Sequence, residues 1–276
     1  MASYVTVMWN QYYISYHYHV GMEDGCTVVL PTYNEEGNIG RMVTTLREMY
    51  PVFYVLVMDD NSKDRTKEIV EEISAKDDHV RFFTRDPNDR GLSASIFQGI
   101  METKTKYFIN MDSDFQHPPS ALAGIYDLLC SGSQLTIGVR KDRSNLDGFA
   151  RWIGSWGSHY LAAFTLRLHD KQISSDIMSG LFGGETEMCQ RTIEENRDQL
   201  EMKGYKALFD LMKYIPKDAK LSEFAYDFGE REAGESKISA MIPIALLKQC
   251  DGWGRFLSSM LERKPFNTIL KKVLHN

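Results

Sequence analysis

The run Tyr107-Phe108-Ile109-Asn110-Met111, followed without a break by Asp112-Ser113-Asp114-Phe115-Gln116-His117-Pro118-Pro119, decides the fold class of this chain. Mostly apolar residues end abruptly in two carboxylates, a polar stretch and a proline pair. The segment therefore reads as a buried strand whose carboxyl end opens into a polar loop. Upstream of it lie Thr27 to Leu30, a helix with Ile39, Met42, Val43 and Leu46 at helical spacing, and Tyr54 to Met58. A helix carrying Ile69, Val70 and Ile73, the run Val80 to Thr84 and a helix from about Ser93 to Thr103 complete the approach to it. Downstream come a helix from Pro119 to Cys130 and a strand from Leu135 to Val139. Strand and helix in turn predict an α/β fold with a mostly parallel sheet, which binds ligands at the carboxyl ends of its strands.

After Val139 the alternation stops. A polar loop from Lys141 to Gly148 leads into an aromatic helical stretch from Ala150 to about Leu168. A strand near Gly180 to Gly183, a helix from Tyr205 to Tyr214 and a strand from Leu221 to Tyr226 follow. No internal repeat or low-complexity linker divides the chain, so it reads as one domain with a C-terminal extension. Residues 1–25 form an N-terminal extension with no assigned role; His17 and His19 would share a face in a strand, too little for a metal site.

Composition narrows the classes. With 276 residues, 43% of them hydrophobic, the chain can bury a proper core. Its formal net charge of −6 argues against a general nucleic-acid binder. Cys26, Cys130, Cys189 and Cys250 are far apart and lack C-x-x-C spacing, so they read as reduced thiols rather than a zinc site or disulfide framework. The first 25 residues carry no basic start for a signal peptide, which makes cytoplasmic residence the default. The longest late apolar run, Ala240 to Leu247, contains Pro243 and falls short of the ~20 residues a membrane span needs.

Three strand ends carry candidate chemistry. Asp112 and Asp114 at the mouth of a parallel sheet suit Mg²⁺ or Mn²⁺, hard ions that take oxygen ligands and bridge diphosphate oxygens, and the Gln116 amide can add a ligand. Taken alone, the same D-x-D also reads as a polar turn ending a strand. Pro31-Thr32-Tyr33-Asn34-Glu35-Glu36 follows the first strand, with Tyr33 able to stack on a base and Glu35 able to accept hydrogen bonds from one. Asp59-Asp60-Asn61-Ser62 follows the second, where Asp60 could hold a ribose or base edge and Asn61 or Ser62 could cap the next helix. Both segments also read as capping and turn chemistry.

In their order these segments resemble the family 2 glycosyltransferases, which carry P-T-Y-N-E, D-D-x-S and D-x-D in sequence; no G-x-G-x-x-G of dinucleotide enzymes competes. The branch they resemble is that of the dolichyl-phosphate mannose synthases. Asp112-Ser113-Asp114-Phe115-Gln116-His117-Pro118-Pro119, Ser175-Asp176-Ile177-Met178-Ser179-Gly180, Gly204-Tyr205-Lys206, Phe228-Gly229-Glu230-Arg231 and Gly234-Glu235-Ser236-Lys237 carry the likeness. Where Ile177 stands the family has proline.

The resemblance implies a GT-A fold, a Rossmann-like three-layer sandwich with a mostly parallel mixed sheet, over residues 26–237. It implies that Pro31, Tyr33, Glu35 and Asp60 hold the nucleoside and that Asp112, Asp114 and Gln116 surround metal and diphosphate. Arg90 would sit beside the donor. Arg140, Arg151 and Ser155 would receive the acceptor phosphate, and Lys206, Arg231 and Lys237 would close over the phosphates. Asp176 would lie near the sugar or acceptor. The implied reaction is transfer of mannose from GDP-mannose to dolichyl (polyprenyl) phosphate with inversion. A UDP-glucose or UDP-N-acetylhexosamine donor is the competing enzyme reading, and a non-catalytic nucleotide-binding subunit the competing class.

A lipid acceptor asks for contact with a membrane surface. From Leu246 to Asn276 six basic side chains face two acidic ones, a net +4 that leaves −10 for the rest. With Trp253, Phe256, Leu257, Met260 and Leu261 among them, residues 238–276 read as a basic amphipathic segment for the cytoplasmic face of an anionic bilayer. Trp152 to Leu166 reads as a second interfacial helix; packing of both on the core or on a partner subunit is the alternative. Transmembrane helices that follow in many family members have no counterpart in this sequence, so an integral partner protein or peripheral binding would substitute.

Overall fold

The computed structural model describes residues 5–9, 12–16, 23–141, 149–229 and 242–261, with side chains described within 25–141, 157, 159–229 and 246–260. The strands are β1 (Val5–Trp9), β2 (Tyr12–Tyr16), β3 (Glu23–Thr32), β4 (Tyr54–Asp59), β5 (Val80–Thr84), β6 (Thr105–Asn110), β7 (Leu135–Arg140), β8 (Phe182–Glu185) and β9 (Leu221–Tyr226). The α-helices are α1 (Ile39–Met49), α2 (Thr66–Ser74), α3 (Leu92–Glu102), α4 (Ala121–Cys130), α5 (Phe149–Leu168), α6 (Thr186–Glu195), α7 (Ala207–Tyr214), α8 (Ile242–Gln249) and α9 (Asp251–Leu261).

Seven strands form one mixed sheet in the order β5-β4-β3-β6-β8-β7-β9. Its first four strands are parallel, β8 runs antiparallel to both neighbours, and β9 is parallel to β7. Both faces are covered, which is why the strands read as nearly continuous apolar runs. Val28, Leu30, Val55, Val57 and Ile109 pack with Ile39, Met42, Leu46 and Val70 of α1 and α2 and with Leu122 and Ile125 of α4. The alternate residues Val29, Leu56, Met58 and Phe108 pack with Phe97 of α3, Ile193 of α6, Phe209 of α7 and Leu166 of α5. This three-layer arrangement is the α/β architecture expected.

Four details depart from the sequence reading. Helix α6 was not expected, although Met188, Cys189 and Ile193 give it a buried face. Strand β8 starts at Phe182 rather than near Gly180, because Gly180 lies against a side chain of the loop after β6. Neither Asn61 nor Ser62 caps α2: that helix begins at Thr66, whose amide donates to Asp64 Oδ1 at 3.1 Å, while the Ser62 hydroxyl is held by Asp59. Within residues 1–25, β1 and β2 pair as a two-stranded antiparallel sheet, and β3 begins at Glu23. His17 and His19 lie outside the described residues.

The four cysteines are free, with Cys26, Cys189 and Cys250 buried and Cys130 exposed. No helix among the described residues is long and apolar enough to cross a membrane.

Candidate active site

The carboxyl ends of β3, β4 and β6 form one rim of the sheet, and the predicted segments sit there. Pro31 pairs with Met58 at the end of β3, and the chain leaves through Tyr33 and Asn34, the latter at φ 52. The carbonyl of Glu35 accepts from the amides of Asn38 and Ile39 and so starts α1, while its carboxylate accepts from Asn38 Nδ2 at 3.0 Å. The Arg90 guanidinium lies 4.0 Å from the centre of the Tyr33 ring, a cation-π contact that brings together two residues expected at the donor.

Asp60 is held from both sides. Its Oδ1 accepts from Arg85 at 2.5 Å and its Oδ2 from the Gly91 amide at 3.0 Å. Arg85 is 2% exposed and also donates to Gln98 and Asp89, so the guanidinium stitches β4, the loop to α3 and α3 itself into one unit. Sequence reasoning missed Arg85, because an arginine closing a strand reads as a surface charge.

At the end of β6, Asp112 is half exposed on its side chain and Asp114 is buried, its Oδ1 accepting from the Gln116 amide at 3.1 Å. Phe115, between Asp114 and Gln116, takes φ 64 and carries the Arg41 guanidinium 4.2 Å from its ring centre. The Asp112 amide donates to His117 Nδ1 at 3.2 Å. Burial holds the His117 imidazole below the usual histidine range; Asp112 and Asp114 oppose the shift, and Arg140 and Lys206 add to it. A neutral ring accepting at Nδ1 fits both observations. Gly180 approaches so closely that a Cβ there would lie 2.9 Å from His117 Cε1 and 3.1 Å from Asp112 Oδ2, so no other residue fits without displacing the loop.

The opposite bank is cationic. Arg140, the last residue of β7, donates from Nε to Asp176 Oδ2 at 2.9 Å and from Nη2 to Oδ1 at 3.3 Å. Asp176 is fully buried. Arg140, expected at the acceptor phosphate, and Asp176, expected near the sugar or acceptor, thus form a two-pronged ion pair. The loop presenting Asp176 is tied down by Glu223 of β9, whose carboxylate accepts from Ser174 Oγ, Ser175 N and Ser175 Oγ at 2.7, 2.6 and 2.8 Å. Lys206 Nζ donates to the Met178 carbonyl at 2.9 Å. Burial and Arg140 pull its ammonium below the usual lysine range, against Asp112 and Asp176. Asp112, Asp114, Arg140, Asp176 and Lys206 therefore lie within electrostatic reach of one another around His117.

Arg151 and Ser155 fall on the first turns of α5, and their side chains lie outside the described ones. Arg231 and Lys237 lie outside the described residues altogether. Among the described residues no three His, Cys, Asp or Glu side chains gather as a metal cluster. Two carboxylates and an amide oxygen are nonetheless a donor set that fits Mg²⁺ or Mn²⁺, which take few protein ligands and fill the remaining positions with water and substrate oxygens.

The glycosyl transferase family 2 domain matches residues 27–192 of this chain. The dolichol-phosphate mannosyltransferase of Saccharomyces cerevisiae is 30% identical over 81% of this chain and 84% of its own length. The enzyme of the same name from Mycosarcoma maydis is 28% identical over 81% of this chain and 77% of its own. Among solved structures, glucosyl-3-phosphoglycerate synthase of Mycobacterium tuberculosis, in complex with Mn²⁺, UDP-glucose and phosphoglyceric acid, superposes with a TM-score of 0.58. That match is 19% identical, covers 82% of this chain and 80% of the other, and shows a common fold.

Proposed function

This chain belongs to glycosyl transferase family 2, and on that footing we propose that it moves mannose from GDP-mannose to dolichyl or another polyprenyl phosphate. The observation that carries the reading is the rim itself, where a carboxylate pair suited to a metal and diphosphate faces the cations Arg140 and Lys206 across His117. The similarity to dolichol-phosphate mannosyltransferases supports the choice of sugar and acceptor.

On this reading Pro31, Tyr33, Glu35, Asp60 and Arg90 bind the nucleoside, with the guanidinium-capped ring of Tyr33 offering a stacking surface. Asp112, Asp114 and Gln116 would hold Mg²⁺ or Mn²⁺, which when bound supplies Lewis-acid neutralisation of the diphosphate. Arg140, Arg151 and Ser155 receive the acceptor phosphate, and Asp176 fixes the direction of Arg140. Lys206, with Arg231 and Lys237 by the family resemblance, balances charge on the leaving diphosphate.

A phosphate acceptor is already an anion at neutral pH, so no residue need act as general base. Its oxygen forms the new bond to the sugar C1 as the bond from C1 to the diphosphate oxygen breaks, and GDP departs. Attack from the face opposite the leaving group inverts the anomeric centre. Holding both anions in line against their mutual repulsion is the task left to the cations.

Peripheral contact with the acceptor's membrane finds support in an apolar surface. Tyr160, Phe164 and Leu168, spaced by four along α5, and Phe256, Leu257 and Met260 of α9 are exposed, and Phe164 meets Trp253 edge-on at 5.9 Å. Binding to anionic vesicles in a flotation assay is expected, and its absence would remove the direct-contact reading.

The deciding experiment offers radiolabelled GDP-mannose, UDP-glucose and UDP-N-acetylglucosamine with dolichyl phosphate and follows label into lipid. Label should come from GDP-mannose in a β-linked product, vanish with EDTA and return with Mg²⁺ or Mn²⁺. Asp114→Ala should lower turnover roughly a hundredfold or more. Label from UDP-glucose alone would overturn mannose, and undiminished turnover by Asp114→Ala would overturn the metal role.

A further inference from the structure

The C-terminal helix pair meets the chain again behind the site, through a buried polar seam. Asp210 and Lys213 of α7 are at most 1% exposed and pair at 2.8 Å. Lys213 Nζ also donates to the carbonyl of Gln249, the last residue of α8, at 2.6 Å. The Gln249 side chain, 1% exposed, completes the circuit: its Nε2 donates to Asp210 Oδ2 at 2.8 Å and to the Lys206 carbonyl at 3.1 Å. Asp210 Oδ2 accepts in addition from the Glu201 amide at 3.2 Å. A Cβ on Gly204 would lie 2.7 Å from Gln249 Cδ, so the segment before Lys206 rests directly on this amide.

The same segment reaches the other bank. The amides of Ser93 and Ala94 at the start of α3 donate to the carbonyls of Gly204 and Met202. Gly91, bonded to Asp60, leaves no room for a Cβ against Met202 O. One short stretch, 201–206, is thus clamped between α3 in front and the end of α8 behind, with the Lys206 ammonium at its tip.

We propose that Gln249 is a positioning residue: it acts through Lys206, and the seating of α8 on α7 sets where that ammonium stands in the site. An apolar side chain of equal size would fill the same space but would leave the Lys206 carbonyl and Asp210 Oδ2 each without this donor. An amide that bonds the Lys206 carbonyl and the α7 carboxylate at once fixes the backbone on which the lysine turns. The inference rests on the catalytic reading of Lys206 given above.

The test uses the full chain and the variants Gln249→Met, Lys206→Met and the double variant. Peptide-resolved hydrogen exchange should show segment 201–206 exchanging about tenfold faster or more in Gln249→Met, with the strands of the sheet unmoved. With GDP-mannose and dolichyl phosphate as probes, kcat should fall about tenfold with the donor KM changed less than about twofold. The double variant should turn over no more slowly than Lys206→Met, because two groups acting through one ammonium do not add.

Unchanged exchange in 201–206, or losses that multiply in the double variant, would overturn the proposal. Should Gln249→Met fail to fold, Gln249→Asn, which withdraws the amide by one methylene, carries the same expectations. Full turnover by Lys206→Met, or no turnover by the wild type with any donor, sinks the reading of the site alone. The exchange measurement still decides the seam in either case.

Discussion

The two banks of the site are built by different means. On the side of β3, β4 and β6 the side chains hang from consecutive strand ends, and short loops fix them through bonds to residues close by: Asn38 to Glu35, Gln116 to Asp114, Ser62 to Asp59. On the side of β7, β8 and β9 each side chain is aimed by a partner far away in the chain, Arg140 by Asp176, the Ser174 loop by Glu223, and the Lys206 segment by Gln249. Apart from the Arg85–Asp60 pair, the first bank is fixed by local loop bonds, whereas the second depends on contacts between segments distant in sequence. Its geometry should accordingly be the easier to break with a single side chain.

The largest effect is expected at Arg140. Replacing it with Met strands the Asp176 carboxylate in the interior, and chemical denaturation should show a loss of about 3 kcal/mol or more. Adding Asp176→Asn should recover most of that stability without recovering turnover, which would separate the pair's structural part from its work on the acceptor. Equal stability of Arg140→Met and wild type would show that the second bank does not rest on this pair.

Arg85 tests the exception on the first bank, where it is a buried cation holding a site carboxylate. Arg85→Met should cost about 2 kcal/mol and raise the donor KM roughly tenfold while kcat changes less. A change in kcat with KM preserved would move Asp60 out of the nucleoside site.

Glu223→Gln should do less. The amide oxygen still accepts from Ser174 and Ser175, so a roughly threefold drop in kcat/KM for the acceptor is expected, with donor KM untouched. Solvent reaches Glu223, which is why the effect is small.

The smallest effect is a slope. Because His117 has its folded pKa depressed below the usual 6.5, the unfolded chain binds a proton that the folded chain refuses. Its contribution is present above about pH 6.5 and is lost as pH falls from there through the folded value. Unfolding free energy should therefore decline on acidification from pH 7 by no more than one proton's worth of slope. His117→Gln should flatten that decline, and an unaltered slope would place the titrating group elsewhere.

The contrast between the banks also explains what could be read from the sequence. Apolar runs such as Val28 to Leu30 and Val55 to Met58 are buried on both faces, so strand, helix and sheet class were plain, and polar residues had to cluster where the strands stop. Tyr33, Asp60, Asp112 and Asp114 were legible for that reason. Arg85, Glu223 and Gln249 were not, because their importance lies in partners 25, 49 and 43 positions away that only the folded chain reveals. Helix α6 escaped because its polar residues outweigh its buried face. Family resemblance linked Arg140, Asp176 and Lys206 to the site, but no spacing rule announces that Arg140 and Asp176 pair.

Strand β8 runs against its neighbours, so Phe182 at its start lies beside Asn110 at the end of β6 and Ile137 in the middle of β7. A rim made of exits thereby gains one entrance, and the incoming chain at 176–181 is threaded between the two banks. Insertions or deletions upstream of that entrance can be absorbed outside the sheet, leaving the register of β3, β4 and β6 untouched. The reversal thus gives evolution a way to retailor one side of the cleft while the other keeps its gauge.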